Sequence, residues 1–289
     1  MSAVKQLSIT NIPEISAIYF ALLQSGYDYY SLGRDFAEIK PITRFIGKEK
    51  VPSFFSLVKQ ETCEVYSYWP RAALLENATF FLTPNHSAFS AYADFQNSVM
   101  SAGNITGLER NKSFWNWIGD FPTALRTVLS SKSFACYLQW ENEWLKEYNI
   151  RHRADLRMVE ECLKVCVEKY NSPIRDIQIV INPIKCVYSA DYYVKENTFI
   201  FCSGIFKVSS IIHEFLHHVI HPVVVEQSNR IMDDGTRYPN IDISYYLLGG
   251  NDGQANAFEE YAVRKLTENV LVSNYPNNLA DFVMELLNK

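Results

Sequence analysis

None of the six cysteines (Cys63, Cys136, Cys162, Cys166, Cys186 and Cys202) stands in C-x-x-C spacing. Cys162 and Cys166 are four apart on a predicted helix, but no His or Cys cluster nearby completes a metal site with them. Buried free thiols in a reducing compartment are therefore expected. The opening residues, Met1 to Thr10, lack a basic stretch followed by an apolar one, so no signal peptide is expected. No run of about 18 consecutive apolar residues occurs, so no membrane span is expected and the chain is read as cytoplasmic. One-sided charge is missing too. The 27 basic and 32 acidic residues leave a net charge of -5, which gives no electrostatic footprint for nucleic acid. Internal repeats and low-complexity tracts are also absent.

What the chain does have is apolar and aromatic mass. Hydrophobic residues make up 48% of its 289 residues, enough for a sizeable core in two units or one large one. The first 170 or so residues read mainly as helices. Ile15 to Leu23 is apolar on more than one side, which predicts a buried helix. Phe89, Tyr92, Phe95 and Val99 suggest another helix over Asn85 to Met100. Trp115 and Trp117 are read as core. Leu156, Val159, Cys162, Leu163 and Cys166 give the apolar side of an amphipathic helix over Asp155 to Tyr170.

The texture changes at Ser172-Pro173. Asp176 to Ile184 is rich in β-branched residues. Ser189 to Val194 and Thr198 to Cys202 read as a hairpin around Lys195-Glu196-Asn197. A long helix is expected from Gln254 to Val270 and a last one from Asn278 to Leu287. The expected class is α+β, with a mostly helical region over 1–171 and a second region of strands and helices over 172–289.

Within the second region stands His213-Glu214-Phe215-Leu216-His217, an H-E-x-x-H motif. On a helix, positions i and i+4 share a face, so the two imidazoles can bind one metal ion. Glu214 is placed to take a proton from a water that the metal activates. The flanks, Val208, Ile211, Ile212, Val219 and Ile220, are apolar. Two histidines and a glutamate in such a helix need a reason, because buried charge is costly unless paired or metal-bound. Ser209 or Ser210 is the expected cap of this helix, and Pro222 its expected end or kink.

Two histidines do not finish a catalytic zinc site, which normally has three protein ligands and a water. His221 follows on the same stripe, but it stands roughly 12 Å along the axis from His213, too far for all three to converge. The position ten residues after the first histidine is Val223. A carboxylate from a second helix is the natural choice, and Asn256 to Arg264 offers Glu259 and Glu260. Helical phase mildly favours Glu259, which lies nearer the apolar side set by Phe258, Ala262 and Leu266.

The combination resembles the gluzincin clan of zinc metallopeptidases, to which thermolysin belongs. More narrowly, HEFLH followed by Pro222 and then EYAVR is similar to a group of poorly characterised bacterial gluzincin-like proteins. The resemblance covers roughly Ile174 to Val270. It implies a zincin-like core: a small sheet with a hairpin, the motif helix, and a second helix that supplies a glutamate. Its E-Y-A-V-R register selects Glu260 as third ligand, with Glu259 the alternate and Arg264 one turn later. It also implies an outer partner for the ligands, or a donor to an oxyanion, from among Arg264, Tyr261, His221, Tyr245 and Tyr246.

The expected activity is zinc-dependent hydrolysis of peptide bonds in a peptide or protein substrate. A zinc-activated water attacks and Glu214 is the general base. The alternatives are a zincin-like metal-binding or regulatory module without proteolysis, and a zinc hydrolase of a non-peptide amide.

Overall fold

The computed structural model describes residues 7–26, 33–61, 72–101, 112–188, 190–233, 238, 241 and 253–288. Its organising element is a four-stranded mixed sheet of order β1-β2-β4-β3. The strands are β1 (Ile9–Thr10), β2 (Asp176–Ile181), β3 (Ala190–Lys195) and β4 (Thr198–Ser203). β1 and β4 run parallel to β2, while β3 pairs antiparallel with β4 at the sheet edge. β3 and β4 form the predicted hairpin, with Glu196 in the left-handed region at φ 55°.

Helices cover both faces, so the class is α+β. Before β2 come α1 (Pro13–Gln24), α2 (Phe36–Thr43), α3 (Ser53–Glu61), α4 (Ala73–Thr79), α5 (Tyr92–Ser101), α6 (Lys112–Trp117), α7 (Phe121–Leu129), α8 (Lys132–Arg151) and α9 (Arg153–Lys169). After β4 come α10 (Val208–Glu226), α11 (Ser228–Asp233), α12 (Gly253–Leu271) and α13 (Leu279–Leu287).

The period-2 alternation of the strands sorts the apolar residues into two cores. Val180, Ile200 and Cys202 face a core built by α1, α3, α4, α7 and the first half of α8. Ile177, Ile179, Ile181, Phe199 and Phe201 face the other, built by α9, α10, α12 and α13. The change of texture near residue 172 is thus a change of element type within a shared sheet, since β1 comes from the first part of the chain. α8 runs past the β1 edge. There the Asn149 side chain accepts from the Ile9 N–H at 2.8 Å and donates to its carbonyl at 2.7 Å, which closes an otherwise open edge.

Most predicted elements are present. Ile15 to Leu23 is buried throughout, and the apolar side of α9 is buried at Leu156, Val159, Leu163 and Cys166. Asn278 caps the last helix, accepting from the N–H groups of Ala280 and Asp281. Four expectations need correction. The helix expected from Asn85 begins only at Tyr92. Upstream, the side chains of Thr83, Asn85 and Ser87 bond one another and the local backbone, which offers the chain an alternative to helix. The motif helix is not capped by Ser209 or Ser210; it starts after Lys207, with no side-chain cap. Nor does it end at Pro222 but continues to Glu226, where burial of Val224 holds the extra turn. Cys136 is exposed rather than buried. Among the described residues, α10 alone is long and apolar enough by length and composition to cross a membrane, a property that core helices share. In the fold its apolar stripe packs on the sheet and on α12. Tyr245, Tyr246 and Cys63 lie outside the described residues.

Candidate metal centre

α10 buries Ile211, Ile212, Phe215, Leu216, Ile220 and Val224. This 3.6-residue periodicity fixes its rotation, so His213, His217 and His221 form a second stripe at the border of the core. α12 packs along α10 through Ala257, Phe258, Ala262, Val263 and Leu266. Phase on α12 then turns both Glu259 and Glu260 toward the histidine stripe.

The two glutamates meet different atoms. Glu260 Oε2 lies 3.5 Å from His213 Nε2 and 3.3 Å from His217 Nε2. The two Nε2 atoms are 3.2 Å apart. Among the described residues His213, His217 and Glu260 are the group that could hold a metal ion. Glu260 Oε1 accepts from Arg264 Nε at 2.7 Å, which fixes the carboxylate plane. Glu259 reaches past this group. Its Oε1 is 2.7 Å from His217 Nδ1, and its Oε2 is 2.6 Å from His221 Nδ1.

These distances test whether zinc fits. A tetrahedral site with bonds near 2.1 Å separates its ligand atoms by roughly 3.4 Å. The observed separations of 3.2, 3.3 and 3.5 Å match that edge. Three ligand atoms of the right type are therefore gathered at zinc spacing, and the donor set of two imidazoles and a carboxylate suits Zn²⁺.

The same contacts shift the charges of the group. Burial alone would depress the His217 imidazolium, but its bonds to Glu259 and Glu260 outweigh that and lift it to about 10. Burial would raise the Glu259 carboxyl, yet His217 and His221 hold it down at about 2. Glu260 is held lower still against its own burial by His213 and His217. The two carboxylates thus stabilise positive charge on the His217 ring. Glu214 is partly buried on the same helix. Burial pushes its carboxyl up and the two histidines oppose this, while Asp191 and Glu260 add to the rise.

Other side chains of α10 and α12 have their own partners. Tyr261 stacks on Tyr238, with centroids 5.5 Å apart, and joins the packing of α12. Arg264 and His221 touch the glutamates as described. His218 points to another side, 3.3 Å from Ser172 Oγ and edge-on to Phe215. One residue escaped the sequence reading: Tyr192 on β3. Its ring lies nearly parallel to that of His217, with centroids 6.3 Å apart, and it stacks on Phe199 behind. Burial, with Glu259 and Glu214 nearby, keeps its hydroxyl protonated far above the usual range. The signal was the alternation of the hairpin, which puts Tyr192 on the side opposite Asp191 and Tyr193.

Comparison of the chain with protein-family models, with curated proteins and with solved structures finds no match.

Proposed function

We propose that this chain is a zinc-dependent hydrolase of peptide bonds, with a zincin-like core made of the sheet, α10 and α12. The observation that carries the reading is the spacing of His213 Nε2, His217 Nε2 and Glu260 Oε2, whose mutual separations match the edges of a zinc tetrahedron. His213, His217 and Glu260 would hold the ion. Bound there, zinc supplies the Lewis acidity that makes a water nucleophilic near neutral pH. Glu214 accepts the proton of the attacking water on its carboxylate and passes it to the leaving amine. Arg264 keeps the Glu260 carboxylate in one orientation. Tyr192 offers a protonated hydroxyl on the same side as His217. β3, at the sheet edge, gives an extended peptide substrate a strand to pair with.

The test is elemental analysis of the purified chain beside cleavage of a peptide library. Wild type should carry one zinc. Glu214→Ala should keep that zinc while cleavage falls by roughly 10²- to 10⁴-fold. Zinc with no Glu214-dependent cleavage would leave a metal-binding module without proteolysis. Absence of zinc in wild type would remove the proposal.

A further inference from the structure

The histidine stripe of α10 continues beyond the motif. His213, His217 and His221 make two successive i, i+4 pairs, and the two adjacent glutamates of α12 read them in turn. Glu260 meets the first pair through the Nε2 atoms. Glu259 meets the second through the Nδ1 atoms of His217 and His221, at 2.7 and 2.6 Å. His217 belongs to both pairs and has both ring nitrogens engaged.

The contacts of Glu259 are direct hydrogen bonds, with no room for an ion between the partners. Each carboxylate oxygen has one imidazole. The Glu259 side chain is 10% exposed, whereas that of His221 is 43% exposed. A carboxylate buried to this degree needs a partner, and here it has two.

We propose that Glu259 is the positioning residue of the site and His221 its outer anchor. The inference rests on the zinc reading above. Accepting from His217 Nδ1, Glu259 fixes which nitrogen carries the proton, leaves the lone pair on Nε2, and sets the ring plane. His221 takes the second oxygen and prevents the carboxylate from rotating about its own axis. Either glutamate could have been the ligand by sequence. The structure divides their work, with Glu260 toward the ion and Glu259 toward the far side of a ligand.

The experiment is zinc affinity, measured by chelator competition on the full chain, for wild type, Glu259→Ala, Glu259→Gln, His221→Ala and Glu260→Ala. Thermal unfolding of the metal-free forms identifies any variant that fails to fold. Glu259→Ala should bind zinc 10- to 100-fold more weakly than wild type, the loss typical of an outer partner of a metal ligand. Glu259→Gln can still accept from His217 Nδ1 and should recover part of that loss. His221→Ala should weaken binding less than Glu259→Ala does. Glu260→Ala should lose far more than any of these. Cobalt substituted into Glu259→Gln should keep the wild-type visible spectrum, because the ligand set is unchanged.

Folded Glu259→Ala with wild-type affinity would overturn the proposal. So would loss of binding in Glu259→Ala with retention in Glu260→Ala, since Glu259 would then be the ligand itself. A wild-type chain that binds no zinc would fail earlier, at the proposed function, and take this inference with it.

Discussion

Replacing Lys185 with Met would remove the cation from a buried charge cluster on the far side of the sheet. Lys185 is 1% exposed. Its ammonium donates to Glu76 Oε1 at 2.6 Å, Asp191 Oδ2 at 2.8 Å and Tyr19 Oη at 3.1 Å. Glu76 also accepts from the Tyr19 and Tyr193 hydroxyls at 2.5 and 2.8 Å, so it keeps hydrogen bonds when the lysine goes. What it loses, with Asp191, is the compensating charge. Burial would depress the Lys185 ammonium, yet Asp191 and Glu76 raise it above its ordinary value, so the pair holds it charged. Breaking a buried ion pair by removing one partner costs about 3–5 kcal/mol. Against a typical total stability of about 5–15 kcal/mol, that is a large share. Urea denaturation of wild type and Lys185→Met, followed by far-UV circular dichroism, reads the difference. A triple variant that adds Glu76→Gln and Asp191→Asn takes out all three charges and should recover most of the loss, because a neutral buried cluster has no uncompensated ion. If Lys185→Met lies within about 1 kcal/mol of wild type, the cluster is not holding α1, α4 and β3 together as described.

Two further outcomes follow from other buried groups. Burial lifts the Glu141 carboxyl from 4.5 to about 7, partly opposed by hydrogen bonds from neighbours that include Asn11 and Tyr137. Below 4.5 both states hold the proton; between the two values only the folded state does, so stability falls as pH rises from 4.5 to about 7 and is then flat. That contribution is about 3 kcal/mol in all, and Glu141→Gln should remove it from the pH profile of denaturation; an unchanged profile would refute the assignment. At Gly204, a Cβ would stand 2.2 Å from the Lys185 carbonyl oxygen, against backbone that cannot swing aside. Gly204→Ala should therefore destabilise by about 1–3 kcal/mol or more in the same assay, and a neutral result would mean that the loops at 182–186 and 204 are not packed so closely.

The sequence made the elements with strong periodicity legible. The motif helix, the glutamate helix and the hairpin carry apolar residues at a spacing that only one secondary structure satisfies, and the first helix was legible from the length of its apolar run. The third-ligand choice was narrowed to Glu259 and Glu260 but not closed by phase. Phase reports which side of a helix is buried, and Glu259 is indeed the more buried, with its carboxylate against His217 and His221. Of the end or kink expected at Pro222, the end does not occur, because the local helix breaker is outweighed by tertiary burial of Val224. The cluster of Tyr19, Glu76, Lys185 and Asp191 was invisible, since its members are spread over 172 residue positions with no spacing to connect them. Tyr192 was missed for a related reason: its place depends on how the hairpin lies against α10.

The hairpin has a consequence for how this chain can vary. Along β3, Asp191 and Tyr193 face the Lys185 cluster, and Tyr192 between them faces His217. Because side chains alternate with a period of two, inserting or deleting one residue in β3 would exchange these surroundings. A tyrosine would enter the charge cluster and an aspartate would face the histidines. β3 is thus open to substitution but closed to change of length. Descendants of this sequence should accommodate length differences at Glu196, where the turn is exposed, rather than at Asn197, whose carbonyl accepts from the Arg175 and Asp176 N–H groups.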